Sequence, residues 1–72
     1  MKIIVNGAWH ELSAGGAPSV EATLETVLSH LGFGDSVVAT ALNGEFVAAQ
    51  ARALTPVQNG DRVEVLAPMQ GG

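Results

Sequence analysis

The residues of this sequence best placed to take part in chemistry are the last two, Gly71 and Gly72. A terminal carboxylate can enter a narrow cleft of another protein only if no side chain beside it obstructs the way. Glycine has no Cβ and reaches backbone angles that are closed to other residues. The Gly-Gly end therefore predicts that the Gly72 carboxylate is the reactive group and that a partner protein activates it.

The residues before the two glycines favour an extended tail. Pro68 fixes its own φ and biases Ala67 toward an extended backbone. Fully extended, residues 67–72 would reach about 20 Å, enough to enter a partner's active site while the domain stays outside. We expect a domain over residues 1–66 and a tail over 67–72, with the threaded part made of Pro68, Met69, Gln70 and Gly71.

Other reactive side chains are too sparse to form a catalytic site. The chain has no cysteine, which excludes a disulfide framework and a cysteine metal site. His10 and His30 lie far apart in sequence without a second ligand at metal-binding spacing, so we expect no metal site. The seven carboxylates are scattered, as on a solvated surface. We predict a carrier or binding protein rather than an enzyme, with no bound cofactor.

Length and composition narrow the class of partner. Seventy-two residues make one domain, and 47% hydrophobic residues favour a folded chain. Three basic residues and a net charge of -4 leave little to neutralise a phosphate backbone, which argues against nucleic acid. The apolar start is too short for a signal peptide or a membrane span, so we expect a cytoplasmic protein without membrane contact.

Two Asn-Gly pairs predict two hairpins, since a type I′ turn needs positive φ at both central positions. Asn6-Gly7 would join a β-branched strand, residues 3–5, to a returning strand over residues 8–12. Asn43-Gly44 would join strands over residues 37–42 and 45–48. Trp9 is interpreted as a packing residue.

One helix is predicted between the hairpins. Leu24, Val27, Leu28 and Leu31 have the spacing of one buried helix face, preceded by a loop over residues 13–18. Either Ser19 or Thr23 would serve as the N-cap. Gly32 should end the helix in the left-handed conformation, with Phe33 packing back.

The last third of the chain returns to the sheet. Residues 49–54 favour a helical turn ended by Thr55-Pro56, and Asn59-Gly60 a further turn. Val63 and Val65 alternate with charged residues, which predicts a strand with one buried face. The expected fold is α+β, with one helix on one face of a mixed sheet of about five strands and the first and last strands paired in parallel at its centre.

Four segments of the chain carry a family resemblance: the Asn6-Gly7 hairpin, Ala41-Leu42-Asn43-Gly44-Glu45-Phe46-Val47, Asn59-Gly60-Asp61-Arg62-Val63-Glu64-Val65-Leu66, and the ending Pro68-Met69-Gln70-Gly71-Gly72. Together they resemble the ThiS family, the sulfur carrier proteins of thiamine biosynthesis. The resemblance covers nearly the whole chain and departs from the family at residues 13–22, a segment longer than usual.

The resemblance implies a ubiquitin-like β-grasp fold and a mechanism. A ubiquitin-activating-enzyme-like adenylyltransferase of the ThiF type would consume ATP to convert the Gly72 carboxylate to an acyl-adenylate. A sulfur donor system would then leave a C-terminal thiocarboxylate, and thiazole synthase of the ThiG type would take its sulfur. A chain without cysteine that carries sulfur has only a carboxyl carbon to carry it on.

Three other functions stay open at this point: the small subunit of molybdopterin synthase, a protein modifier that joins Gly72 to lysines, and a plain binding module. If Val63 and Val65 face the core, the side chains of Arg62, Glu64 and Leu66 share the outer face of the sheet beside the tail. We expect a partner to dock there, with Phe46 as a further candidate contact.

Overall fold

The computed structural model describes residues 1–12, 22–34 and 36–67. The predicted loop at 13–18, the alternative N-cap Ser19 and the tail from Pro68 to Gly72 lie outside these ranges. The described elements, in chain order, are β1 (Lys2–Val5), β2 (Ala8–Glu11), α1 (Leu24–His30), β3 (Ala39–Leu42), β4 (Glu45–Val47), a 3-10 helix (Ala49–Leu54) and β5 (Arg62–Leu66).

The strands form one mixed sheet in the order β2-β1-β5-β3-β4. The first and last strands of the chain pair in parallel, with Ile4 opposite Arg62 and Val5 opposite Val63, while the other three pairings are antiparallel. The last strand is therefore central, and β1 lies between it and the edge strand β2. This arrangement with one helix on one face confirms the predicted α+β class and the ubiquitin-like β-grasp fold.

Both predicted hairpins have the turn that their sequences require. The φ angles are 49° at Asn6 and 85° at Gly7, and 51° at Asn43 and 88° at Gly44. Positive φ at both central residues is the type I′ geometry, whose twist matches that of the flanking strands. The two-residue loops fix the register, so Val5 pairs with Ala8 and Leu42 with Glu45.

Helix α1 begins and ends with clear caps. Thr23 is the N-cap: its Oγ1 accepts from the Thr26 N–H at 3.3 Å, and the Thr23 N–H donates to Thr26 Oγ1 at 2.9 Å. Gly32 has φ 90°, and the Phe33 N–H donates to the Leu28 carbonyl at 2.8 Å, so the predicted left-handed end is confirmed.

The core lies between α1 and one face of the sheet. Phe33 packs against its edge. Because the pleat alternates, β1 and β5 each contribute every second residue, and the helix contributes one stripe. The buried hydrophobic side chains are Ile3, Val5, Leu24, Val27, Leu28, Val57, Val63 and Val65.

Three sequence-based expectations about the strands are corrected. The third strand begins at Ala39 rather than at Val37, which is 82% exposed, because Ala39 pairs with Leu66, the last residue of β5. Strand β4 ends at Val47, since Ala48 caps the 3-10 helix. Trp9 is not a core residue: it is 64% exposed, because it pairs with Ile4 on the face away from α1.

Candidate functional site

The face of the sheet opposite α1 is called here the open face. No described element packs against it, and strand register places its side chains in rows across the strands. One row is Trp9, Ile4 and Arg62, and a second is Glu64, Ala41 and Phe46. Side chains directly opposite each other on neighbouring strands have Cβ atoms about 4.5–5.5 Å apart. Each row is therefore a contiguous surface.

The central strand supplies the middle of this face. Val63 and Val65 are 0% and 5% exposed, whereas Arg62, Glu64 and Leu66 are all exposed. The alternation expected from the sequence thus places these three side chains together. Because β5 leads directly to Ala67 and the tail, the open face lies beside the point where the tail leaves the domain.

The apolar part of the open face lies toward β4. Phe46 and Leu66 are 73% and 67% exposed, and small side chains connect them to the centre: Ala41 lies between Glu64 and Phe46, and Ala39 lies beside Leu66. Small residues leave the larger side chains accessible. Large apolar side chains left exposed on one face of a folded domain are typical of a protein interaction site.

The open face has a second apolar part toward β2, which the sequence analysis did not predict. Trp9 and Ile4 are directly opposite each other, and Ile4 is half-buried. A signal for this pair was present, since a two-residue turn at Asn6-Gly7 pairs Val5 with Ala8 and hence Ile4 with Trp9. Tryptophan is among the residues most enriched at binding hot spots.

Between the two apolar parts lies a depression of about 210 Å³, lined by Ile4, Asn6, Gly7, Arg62, Val63 and Glu64. Its volume is below the roughly 300–1,000 Å³ typical of pockets that hold small-molecule ligands. The depression instead has the size for a side chain of a partner protein. Its lining combines the opposite charges of Arg62 and Glu64 with the apolar side chain of Ile4.

Three asparagine side chains hold the neighbouring strands in place around this face. Asn6 bonds both backbone groups of Val65, at 2.8 Å to the N–H and 3.1 Å to the carbonyl. Asn43 Oδ1 accepts from the Arg62 N–H at 2.9 Å, and Asn59 Oδ1 accepts from the Lys2 N–H at 2.8 Å. The sequence predicted these residues only as turn formers.

The histidines and acidic side chains described by the structure do not converge. Within residues 1–12, 22–34 and 36–67 no group of three or more His, Asp or Glu side chains is placed to hold a metal ion. His10 lies on β2 and His30 at the end of α1, and both are exposed. In the same part of the chain, none of the helices has the length and hydropathy to cross a membrane.

The structure thus defines a class of protein, a small β-grasp domain whose central strand ends at Leu66 on an open, partly apolar face of the sheet. The model of the ThiS family matches residues 3–72, and the chain belongs to that family. Because the match runs to Gly72, it includes the Gly-Gly end that lies outside the described residues. The sequence-based identification is therefore confirmed.

Solved structures agree with the family assignment. The chain is similar to the crystal structure of a thiamine biosynthesis protein (ThiS) from Geobacter metallireducens, with 32% identity, a TM-score of 0.79 and full coverage of both chains. It is also similar to the solution structure of a thiamine biosynthesis protein from the same organism, with 32% identity, a TM-score of 0.76, and coverage of 100% of this chain and 88% of that one. No curated protein gives a significant match. The family and these structures support a sulfur carrier of thiamine biosynthesis.

Proposed function

We propose that this chain carries sulfur for thiamine biosynthesis as a thiocarboxylate on Gly72. The family match carries this proposal, because it extends from Ile3 through the last glycine. The chain has no cysteine, so it cannot carry sulfur as a persulfide on a thiol, as other sulfur carriers do. A carboxyl carbon at the end of a side-chain-free tail is the remaining place for the sulfur.

The proposed reaction has two steps on the terminal carboxyl group. In the first, an oxygen of the Gly72 carboxylate attacks the α-phosphorus of ATP, and pyrophosphate leaves as the acyl-adenylate forms. In the second, sulfide-level sulfur supplied by the donor attacks the acyl carbon, the bond from that carbon to the adenylate oxygen breaks and AMP leaves, and loss of a proton gives the thiocarboxylate without a change of oxidation state. The chain acts as a co-substrate, while a ThiF-type adenylyltransferase performs the first step.

The open face is the proposed docking surface for this adenylyltransferase. Its exposed residues Arg62, Glu64 and Leu66 lie on the strand that leads into the tail, and Phe46 lies two strands away on β4, in the same row as Glu64. A partner that grips the domain there removes translational and rotational freedom before the tail enters the cleft, which is how anchoring accelerates a reaction of a tethered group. Trp9 and Ile4 extend the same surface toward β2.

The product would be delivered to a ThiG-type thiazole synthase, which takes the sulfur. The tail needs no bound cofactor for this transfer, because the thiocarboxylate is itself the reactive group. A cytoplasmic location and the division into a domain of residues 1–66 and a tail of residues 67–72 stay predictions from the sequence.

Mass spectrometry of the intact chain tests the proposal. After incubation with ATP, the adenylyltransferase and a sulfur donor, we expect a fraction whose mass reflects one oxygen replaced by sulfur at Gly72. Only unmodified chains under these conditions would contradict the carrier function. A branched, lysine-linked adduct would instead identify a protein modifier, and transfer to a molybdopterin precursor would identify the molybdopterin synthase subunit.

Two changes at the end of the tail test the reacting position. Deletion of Gly72 keeps a glycine end but shortens the reach by roughly 3.5 Å. Since a misplacement of about 1 Å can cost on the order of 100-fold in rate, we expect little or no adenylation of the deleted chain. The variant Gly72→Ala keeps the reach and adds a methyl group beside the carboxyl group that reacts, so we expect impaired adenylation. Deletion without loss of rate would contradict the assignment of Gly72.

A further inference from the structure

The end of β5 has a different neighbour on each of its two sides. On the β3 side it continues in the sheet, with Thr40 opposite Val65 and Ala39 opposite Leu66. On the β1 side the chain has already turned away, since β1 ends at Val5 and Asn6 begins the hairpin turn with φ 49°. The backbone groups of Val65 that face β1 therefore have no strand residue beside them.

The Asn6 side chain takes the place of that missing strand residue. The Asn6 N–H still donates to the Val63 carbonyl at 3.0 Å, as a regular rung of the parallel pair. One rung further, Asn6 Oδ1 accepts from the Val65 N–H at 2.8 Å and Asn6 Nδ2 donates to the Val65 carbonyl at 3.1 Å. A side-chain amide has the same donor and acceptor as a peptide group, so it can extend a ladder by one rung.

This last rung lies close to the start of the tail. Val65 is two residues before Ala67, where the tail is expected to begin. A strand end that frays adds residues to the tether between the domain and Gly72 and removes a fixed exit direction. The effective concentration of a tethered group falls as the tether lengthens.

We propose that Asn6 is a positioning residue for the C-terminal tail: its amide clamps Val65 so that the tail leaves the docked domain from a fixed point and in a fixed direction. This inference rests on the proposed adenylation of Gly72. Asn6 touches neither the carboxylate nor ATP, and it acts only through the end of β5.

The second hairpin offers a matched control. Asn43 occupies the equivalent position of the same turn type, with φ 51°, and its side chain also bonds the backbone of β5. It bonds Arg62, however, at the start of the strand, and Asp61 Oδ1 at 3.1 Å. Glycine accepts positive φ readily, so Asn6→Gly and Asn43→Gly each keep the turn and remove one clamp.

The test compares these two variants with the wild-type chain in adenylate formation by the ThiF-type enzyme, and in amide hydrogen exchange. For Asn6→Gly we expect kcat to fall roughly two- to tenfold with a smaller change in KM, because the tail is released while Arg62, Glu64 and Leu66 stay on the open face. Exchange should become faster at Val65 and Leu66. For Asn43→Gly we expect faster exchange at Arg62 and an unchanged kcat.

A third variant, Asn6→Asp, tests for an intermediate loss of kcat. It also provides a test if Asn6→Gly does not fold. Asn6→Asp keeps an acceptor for the Val65 N–H but cannot donate to the Val65 carbonyl when ionised. We expect its kcat to lie between those of wild type and Asn6→Gly.

Four outcomes would overturn the tail-positioning role. Equal kcat losses in Asn6→Gly and Asn43→Gly would show a general loss of stability, and a change confined to KM would show that Asn6 contacts the partner directly. An unchanged kcat in both Asn6 variants, with normal adenylation of the wild type, would overturn this role and leave the proposed function standing. A wild-type chain that is not adenylated would instead overturn the proposed function and the role that depends on it.

Discussion

The two faces of the sheet use the same strands for opposite purposes, and two neighbouring isoleucines show the contrast. Ile3 is fully buried against α1, whereas Ile4, the next residue, lies half-buried on the open face opposite Trp9. On β5 the same alternation buries Val63 and exposes Arg62. Apolar side chains on the inner face are covered by the helix, while those on the outer face have no described element over them.

The difference shows that hydrophobicity alone does not distinguish a stabilising residue from a binding residue in this domain. Trp9, Phe46 and Leu66 are as apolar as the core residues, but they gain little from folding because they stay exposed. If the open face is the docking surface proposed above, their contribution comes from burial in a complex. Substitutions on the inner face should therefore lower stability, and substitutions on the open face should lower partner affinity.

The largest expected effect is on the inner face. Ile3→Ala should lower the free energy of unfolding by about 2–5 kcal/mol, the cost of a cavity at a fully buried isoleucine. Small domains have only about 5–15 kcal/mol in total, so much of the fold's stability would be lost. Ile4→Ala is the matched control and should cost less than half as much. Urea unfolding measures both, and equal losses would contradict the assignment of the two faces.

The next largest expected effect is a loss of stability when the hydrogen bonds of Thr40 are removed. Thr40, on the inner face, is the only buried polar side chain among the described residues. Arg52 donates to Thr40 Oγ1 at 3.0 Å and to the Val38 carbonyl at 2.6 Å, and Thr40 Oγ1 donates to the Val47 carbonyl at 2.8 Å. This network joins the 3-10 helix to β3 and β4.

Arg52→Ala should cost about 1.5–3 kcal/mol of stability, since hydrogen bonds from a charged group are lost beside a buried hydroxyl. Arg62→Ala is the control on the open face and should stay within about 0.5 kcal/mol of wild type. Thermal or urea unfolding of the two variants measures whether Arg52 stabilises the fold and Arg62 does not. A stable Arg52→Ala chain would show that water replaces the arginine in the network.

The sequence predicted the parts of this fold that depend on local rules. Asn-Gly pairs require positive φ, so both hairpins were placed correctly, and the helix end followed from Gly32. The N-cap remained open between Ser19 and Thr23 because both residue types cap well. The face occupied by Trp9 was misjudged, because burial was inferred from residue type rather than from the register of the hairpin.

Contacts between distant residues could not be predicted in this way. Asn6 and Val65 are 59 positions apart, and only the parallel pairing of β1 with β5 brings them together. The bond from Arg52 to Val38 likewise depends on the path of the 3-10 helix. The role of Gly72 is predicted from the sequence, and the family match extends to that residue.

A smaller effect, on binding rather than stability, is expected from the open face. Leu66→Ala should raise the KM for adenylation about tenfold, which corresponds to about 1.4 kcal/mol, because a leucine buried in the complex is lost. Leu54→Ala is the matched control: Leu54 is 84% exposed but lies on the 3-10 helix. Stability should change by less than about 0.5 kcal/mol in both. Equal KM values for the two variants would place the docking surface elsewhere.

The smallest expected effect comes from the charge at the centre of the open face. Arg62→Glu changes the net charge from −4 to −6, since one positive charge is replaced by a negative one. A rim charge acts mainly on the rate of association, so we expect kcat/KM for adenylation to fall on the order of threefold at low salt and to recover as salt screens the charge. The fold should be unaffected, because the Arg62 side chain is exposed. Lys2→Glu makes the same change in net charge at the start of β1, two residues before Ile4, which pairs with Arg62, and we expect a weaker effect from it. Equal effects would show that only net charge matters, and unchanged kinetics for Arg62→Glu would show that the partner binds away from β5.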